Sequence, residues 1–345
     1  MKVIVVGATG NVGTSVVEAL GRDERVEEIV GIARRMPAWR PERTRWVSAD
    51  ITRDDLVPHF QGADAVIHLA WLIQPSRDGE QLRRVNVDGS RRVFEAAAAA
   101  GAGALVYASS IGVYSPGPKD RAVDESWPRD GIPSLFYSRH KAETERMLDA
   151  YEDRLRVVRL RPGLIFKRQA APEIRRLFAG PFVPTRVLGH LPVVPLPARL
   201  AVQCVHSDDI GEAYRLAALS PDARGAYNIA ADPVLQPADL ARVLGGRHVP
   251  APEKPLRVLA DLAFQGRLTP TPAGWFDLGL SVPIMDTSRA REQLGWKETR
   301  SSVEALKELL AGMKEPAGAP TPPLEPHAGG RARVGEVLTG LGSKL

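Results

Sequence analysis

The stretch Val3-Ile4-Val5-Val6-Gly7-Ala8-Thr9-Gly10-Asn11-Val12-Gly13, continuing as TSVVEALG, decides the fold. Four β-branched residues in a row read as a strand buried on both faces, and the alternation after Gly13 reads as an amphipathic helix. Between them lie three glycines spaced G-x-x-G-x-x-G. Glycine at such a turn permits positive φ, lets a phosphate approach the backbone, and allows the helix to pack closely on the strand. The helix N-terminus then offers free N–H groups and the positive end of its dipole to an anion. No Gly-Lys-Ser/Thr follows, so the loop is not of the P-loop type.

Working outward, further short apolar runs recur at helix-length intervals: EIVGIA to Ala33, AVIHLA to Ala70, ALVYAS to Ser109 and RLRVVRL to Leu160. A helical pattern spans 80–100, and a probable third strand precedes Ala49-Asp50. This alternation predicts a doubly wound α/β domain with a parallel sheet, over 1–161, whose core sheet can recruit later strands. Beyond Arg161, seven prolines from Pro162 to Pro197 break the chain. Residues too dense in proline to sustain a regular sheet or helix predict a smaller mixed lobe over 162–312 that shapes a pocket. Helical patterns return at 208–219, 237–244, 288–294 and 301–313, and 313–345 reads as a Pro/Gly-rich tail.

The whole chain has 345 residues, with 44% hydrophobic and 25% charged residues, which excludes a disordered or collagen-like protein. A net charge of +5 is too small and too scattered to predict nucleic-acid binding. No run approaches the roughly 18 apolar residues of a membrane span. Cys204 is the only cysteine, which excludes an internal disulfide and any cysteine-rich metal site, and reads as a small buried hydrophobe. No metal is predicted. The N-terminus lacks the apolar stretch and cleavage site of a signal peptide, so a cytoplasmic protein is expected.

Tyr137-Ser138-Arg139-His140-Lys141 opens a helix continuing to Tyr151. Side chains four apart share a helix face, so phenol and ammonium can reach one ligand. A neighbouring cation is expected to lower the phenol pKa from its ordinary value near 10, making an acid/base pair. Upstream, Ser109-Ser110 ends a predicted strand, where a hydroxyl can donate to a carbonyl oxygen.

Taken together, the glycine spacing, the Ser and the Tyr-x-x-x-Lys set resemble the extended short-chain dehydrogenase/reductases, the NAD-dependent epimerase/dehydratase-like family. The resemblance covers roughly 1–312 and extends to Arg161-Pro162-Gly163, Val205-His206-Ser207-Asp208-Asp209, Tyr227-Asn228-Ile229 and Leu294-Gly295-Trp296. It implies a Rossmann fold and catalytic Ser110, Tyr137 and Lys141, with Ser110 polarising the substrate oxygen and Lys141 holding the nicotinamide ribose. It further implies a dinucleotide held by Gly7, Thr9, Gly10, Asn11, Val12, Gly13, Arg34, Asp50, Ile51, Leu69, Ala70, Ser109, Tyr137, Lys141, Pro162 and Ile165. Within that set Asp50 is expected to accept from the adenine amine, or else simply to cap the following turn. His68 is expected beneath the adenosine, or else as a core histidine, and Asn86 belongs to a helical Asn motif. His140 is expected on the helix surface.

At the end of the second strand, where an acid would bond the ribose 2′-OH, stands Ala33, followed by Arg34-Arg35. A guanidinium there pairs a 2′-phosphate, so NADP(H) is favoured over NAD(H), unless the pair is simply solvated. Nucleotide-sugar members of the family carry an Asn and an Arg where this chain has Leu164 and Val202, and a Gly-Pro where it has Lys167-Arg168. Without those donors a small apolar carbonyl or secondary alcohol is the expected substrate. Trp71, Leu72, Tyr114, Phe182 and Trp275 are candidates for the pocket wall, and Asp124-Glu125 for its rim. The alternatives are an epimerase or dehydratase that retains its dinucleotide, and a non-catalytic dinucleotide sensor. The helices at 80–100 and 137–151 resemble those that pair family members into homodimers.

Overall fold

The computed structural model describes residues 1–73, 78–175, 191–269, 271–314 and 317–325. Seven parallel strands form the central sheet: β1 (Lys2–Val6), β2 (Glu28–Ala33), β3 (Thr44–Ser48), β4 (Ala65–His68), β5 (Ala104–Ala108), β6 (Arg156–Pro162) and β7 (Gly225–Ile229). Their order is β7-β6-β5-β4-β1-β2-β3. The direction of winding reverses between β1 and β4, and ligands of open α/β sheets bind outside the strand ends at such a switch point. The glycine stretch leaves β1 at that point. The last strand comes from beyond residue 161, so the second half of the chain completes the first-half sheet.

Side-chain alternation along β1 assigns the two layers. Val3 and Val5 join one core with Val16, Val17 and Leu20 of helix α1 (Asn11–Gly21), together with Ile210 and Tyr214. Ile4 and Val6 join the other with Val93 and Phe94 of helix α2 (Gly89–Ala99) and Leu148 of helix α3 (Phe136–Asp149). The helix α4 (Ser207–Leu219) lies against α1 so closely that a Cβ on Gly211 would stand 2.6 Å from the Ser15 carbonyl oxygen. The helical run predicted at 80–100 is interrupted by a π-helical turn, Arg84–Asp88.

The remaining lobe differs from its proline-based expectation. Val193–Leu196 is a strand despite Pro195, pairing in parallel with Arg247–Pro250. A two-stranded ribbon leaves each strand with a free edge, where a missing N–H costs no hydrogen bond. Two helices, Glu253–Gln265 and Gly274–Ser281, occupy stretches for which no helix is predicted. The first carries Val258, Leu259 and Leu262 exposed, which blurs the apolar-in pattern that periodicity relies on. No helix among the described residues is long and apolar enough to cross a membrane. Of the tail, 315–316 and 326–345 lie outside the described residues, as does Phe182.

Candidate active site

The glycine loop has the shape its spacing predicts. Gly7 has φ +89°, and a Cβ there would stand 2.6 Å from the Ala70 amide nitrogen, so glycine is required where the loop crosses the end of β4. A Cβ on Gly13 would stand 2.3 Å from the Gly7 carbonyl oxygen, locking helix against loop. Gly10, the N-cap of α1, would place its Cβ in open space apart from Gly7 O at 3.7 Å, and no side chain caps the helix. Uncapped amides facing an open cradle fit a pyrophosphate. The Asn11 Oδ1 is buried without a hydrogen-bond partner, while its amide nitrogen donates to Ile165 O at 3.3 Å. Thr9, Val12, Leu69 and Ala70 border this loop, and Leu69 N donates to Val6 O at 2.8 Å.

Several of the residues expected at the dinucleotide also hold the fold together. Asp50 uses Oδ1 to accept from Thr52 N at 2.9 Å and Thr52 Oγ1 at 2.8 Å, so it caps its own turn, which with the Arg34 and Arg53 guanidinium groups holds its carboxyl below the usual range. Ile51 packs in the second core, where its side chain would meet a Cβ on Gly89. His68 is a core residue: its Nε2 lies 2.9 Å from Ser90 Oγ, and burial pushes it down to about 3, so it is neutral. Asn86 clasps the chain after β4, accepting from Leu72 N at 2.7 Å and donating to Leu72 O at 3.0 Å. Ser109 turns inward to donate to Glu145. Pro162 closes β6.

The three residues expected to be catalytic lie close together. Tyr137 and Lys141 lie one turn apart on α3, both buried, and Ser110 follows β5. A Cβ on Gly112 would meet the Tyr137 ring at 3.0 Å, Ser110 Oγ at 3.4 Å and Leu278 at 3.4 Å, so these three converge on one point. Ser110 Oγ accepts from Gly112 N at 3.0 Å and stands beside the Tyr137 phenol. The expected lowering of the phenol is corrected: burial pushes Tyr137 up to about 12, opposed only by the Ser110 hydroxyl. The Lys141 ammonium lies nearer to other groups than to the phenol ring. It donates to Ala108 O at 2.5 Å and lies 3.5 Å from the centre of the Trp71 ring, against 5.9 Å from that of Tyr137.

Trp71 and Trp275 flank the Tyr137 ring at centroid distances of 6.0 and 5.1 Å. Ile132, Leu135, Leu278 and Val282 complete an apolar cluster around it. Tyr114 is core instead of wall: its hydroxyl donates to Asn228 Oδ1 at 2.6 Å and accepts from Arg161 at 3.0 Å. Glu125 is likewise structural, accepting from Asn228 N at 2.8 Å, and Asp124 caps Ser126. Contrary to its expected surface position, His140 is buried and pushed down to about 4. Cys204 is buried and unpaired as expected.

Sequence reasoning missed two charged groups behind the site. Glu145, one turn beyond Lys141, receives both arms of Arg161 at 2.9 and 2.6 Å. Lys167 is buried and donates to Thr14 Oγ1 at 2.6 Å and Ser15 Oγ at 3.2 Å. The spacing of Glu145, four past Lys141 and eight past Tyr137, is the signal that marks it on the same helix face. Lys167 has no such signal.

The sheet order, the glycine turn at its switch point and the Ser-Tyr-Lys cluster define a Rossmann-type dinucleotide fold of the short-chain dehydrogenase class. A family model for the NAD dependent epimerase/dehydratase family matches residues 3–230, and the chain belongs to that family. An uncharacterized protein of Mycobacterium tuberculosis is 28% identical over 91% of this chain, which spans only 30% of that protein's length. The L-arabinose 1-dehydrogenase (NAD(P)(+)) of Haloferax volcanii is 33% identical over 50% of this chain and 70% of its own. Among solved structures, the Thermus thermophilus UDP-glucose 4-epimerase complex with NAD superposes with TM-score 0.66 at 22% identity, covering 91% of this chain and 99% of that one.

Proposed function

We propose that the protein is an NAD(P)-dependent oxidoreductase that reduces a mainly apolar ketone or aldehyde, or oxidises the corresponding secondary alcohol. The observation that carries the reading is a buried, protonated phenol beside Ser110, flanked by two indoles in an aliphatic wall. When bound, the dinucleotide supplies or accepts a hydride at its nicotinamide ring. The chain's own residues do the rest. Ser110 Oγ–H donates to the substrate oxygen, and Tyr137 Oη delivers the proton that oxygen needs as it becomes an alcohol. The apolar walls exclude water and orient the substrate by contact. At Leu164 and Val202, where nucleotide-sugar enzymes of the family carry polar donors, this chain has aliphatic side chains.

Denaturing freshly purified protein and identifying any released dinucleotide tests the reading, followed by a screen of apolar ketones with NADPH and NADH. The expected result is an exchangeable site and oxidation of the reduced cofactor by a carbonyl in the panel. Stoichiometric retained NAD without carbonyl turnover would replace the reading with an epimerase or dehydratase.

Preference for NADP(H) belongs to the same proposal. Arg34 is exposed just past the end of β2, and its charge helps hold the Asp50 carboxyl down. A 2′-phosphate there gains a charge-assisted hydrogen bond that a hydroxyl cannot match. The substitution Arg34→Ala should weaken NADPH binding by about 10-fold or more and leave NADH binding nearly unchanged, as read by fluorescence titration of both. Equal losses for the two cofactors would reject the assignment.

A further inference from the structure

We propose that Trp71 is a positioning residue for the catalytic ammonium: its indole face, in place of a paired carboxylate, holds Lys141 charged on the helix it shares with Tyr137. The inference concerns the site just read as an oxidoreductase centre and rests on that reading only for calling the ammonium catalytic.

Lys141 is buried, 3% exposed, and burial of an ammonium favours its neutral form. Its one hydrogen bond among the described residues runs to Ala108 O. Every titratable group facing it is accounted for. On α3, the Tyr137 phenol stays protonated. On β4, His68 is neutral, and on β5 burial pushes the Tyr107 phenol up. The single carboxylate nearby is Glu145, already engaged by both arms of Arg161, by Ser109 and, at 3.6 Å, by Arg129. Through space it still favours the Lys141 cation. The Trp71 ring is the nearest aromatic face, 3.5 Å from Nζ against 5.0 Å for Tyr107 and 5.9 Å for Tyr137, and indole is the strongest aromatic partner for a cation.

The backbone around Trp71 is fixed from both sides. Its predecessor Ala70 abuts Gly7, where no Cβ fits, and its successor Leu72 exchanges two hydrogen bonds with the Asn86 side chain. The indole is thus held over Lys141 by the dinucleotide loop on one flank and by the π-helical turn carrying Asn86 on the other.

Titration of the Lys141 Cε resonance by carbon-13 NMR, in lysine-labelled full-length protein, tests the proposal. The signal is assigned by its loss in Lys141→Arg. Neither substrate nor dinucleotide is needed, so the outcome is independent of which reaction the site performs. Removing the ring in Trp71→Leu should lower the Lys141 midpoint by about 1.5 units. The variant Trp71→Phe keeps a weaker aromatic face and should restore part of the shift. An unchanged midpoint in both folded variants overturns the proposal. If Trp71→Leu fails to fold, Trp71→Phe decides alone: a smaller downward shift supports the proposal and none overturns it.

Discussion

Tyr137→Phe should lower carbonyl turnover by about 100- to 10,000-fold while leaving dinucleotide affinity largely intact. The phenol oxygen is the only atom removed, in a cluster of Ile132, Leu135, Leu278 and Val282 that accepts a Phe ring without repacking. Binding belongs mainly to the glycine loop and the α1 N-terminus, which the substitution does not touch. Steady-state rates with the active carbonyl, beside a fluorescence titration of NADPH, separate the two effects. Near-normal turnover would remove Tyr137 from the chemistry.

The same residue fixes a pH asymmetry. With its pKa pushed up to about 12, Tyr137 is protonated throughout the neutral range and ready to give a proton in reduction. Oxidation needs the phenolate, whose population rises tenfold per pH unit below that pKa. Reduction should therefore be flat between pH 6 and 9 on a scale of about one unit, while oxidation climbs with pH. A dinucleotide or substrate that lowers the pKa moves the climb to lower pH without changing its sign.

Glu145→Gln should destabilise the fold by about 3–5 kcal/mol, because it leaves the Arg161 guanidinium buried without its anion. Arg161 is 3% exposed and Glu145 fully buried, so no water takes over the lost contacts. Arg161 also donates to Glu125 O and Tyr114 OH, and Tyr114 in turn donates to Asn228 on β7. One charge pair thus ties α3 to β6, β7 and the loop after β5 that carries Ser110. Urea unfolding of the variant beside the parent measures the loss, and a difference below about 1 kcal/mol would show that the pair is not buried as described. The pair also sets an acid limit. Burial raises the Glu145 carboxyl, but Arg161 and Ser109 outweigh it, so the folded-state pKa lies below the ordinary 4.5. Its contribution is complete above pH 4.5 and is lost as pH falls through the lower folded value.

Much of this was legible along the chain. Strands β1, β2, β4 and β5 lie where short apolar runs predict them, because a strand buried on both faces leaves an unbroken signal, and β6 lies where the RLRVVRL stretch predicts it. The glycines, Ser110, Tyr137 and Lys141 were legible for a different reason: turn stereochemistry and the helical repeat tie their roles to fixed spacings. By contrast, Asp50, His68 and Ser109 have spacings that serve two roles equally well. Choosing between ligand contact, cap and core needs the partner: Thr52 for Asp50, Ser90 for His68, Glu145 for Ser109.

The sequence by itself determined the doubly wound sheet, the glycine loop and the Ser-Tyr-Lys set, since the strand runs, the glycine spacing and the Tyr-Lys spacing are each local patterns. Tertiary structure alone decided what surrounds them. It recruited β7 from beyond residue 224, set Trp71 over Lys141 across 70 positions, paired Arg161 with Glu145, and raised the Tyr137 phenol instead of lowering it. Those outcomes depend on which groups share a desolvated space. Burial and partner choice are properties of chain segments brought together from a distance, and no local pattern encodes them.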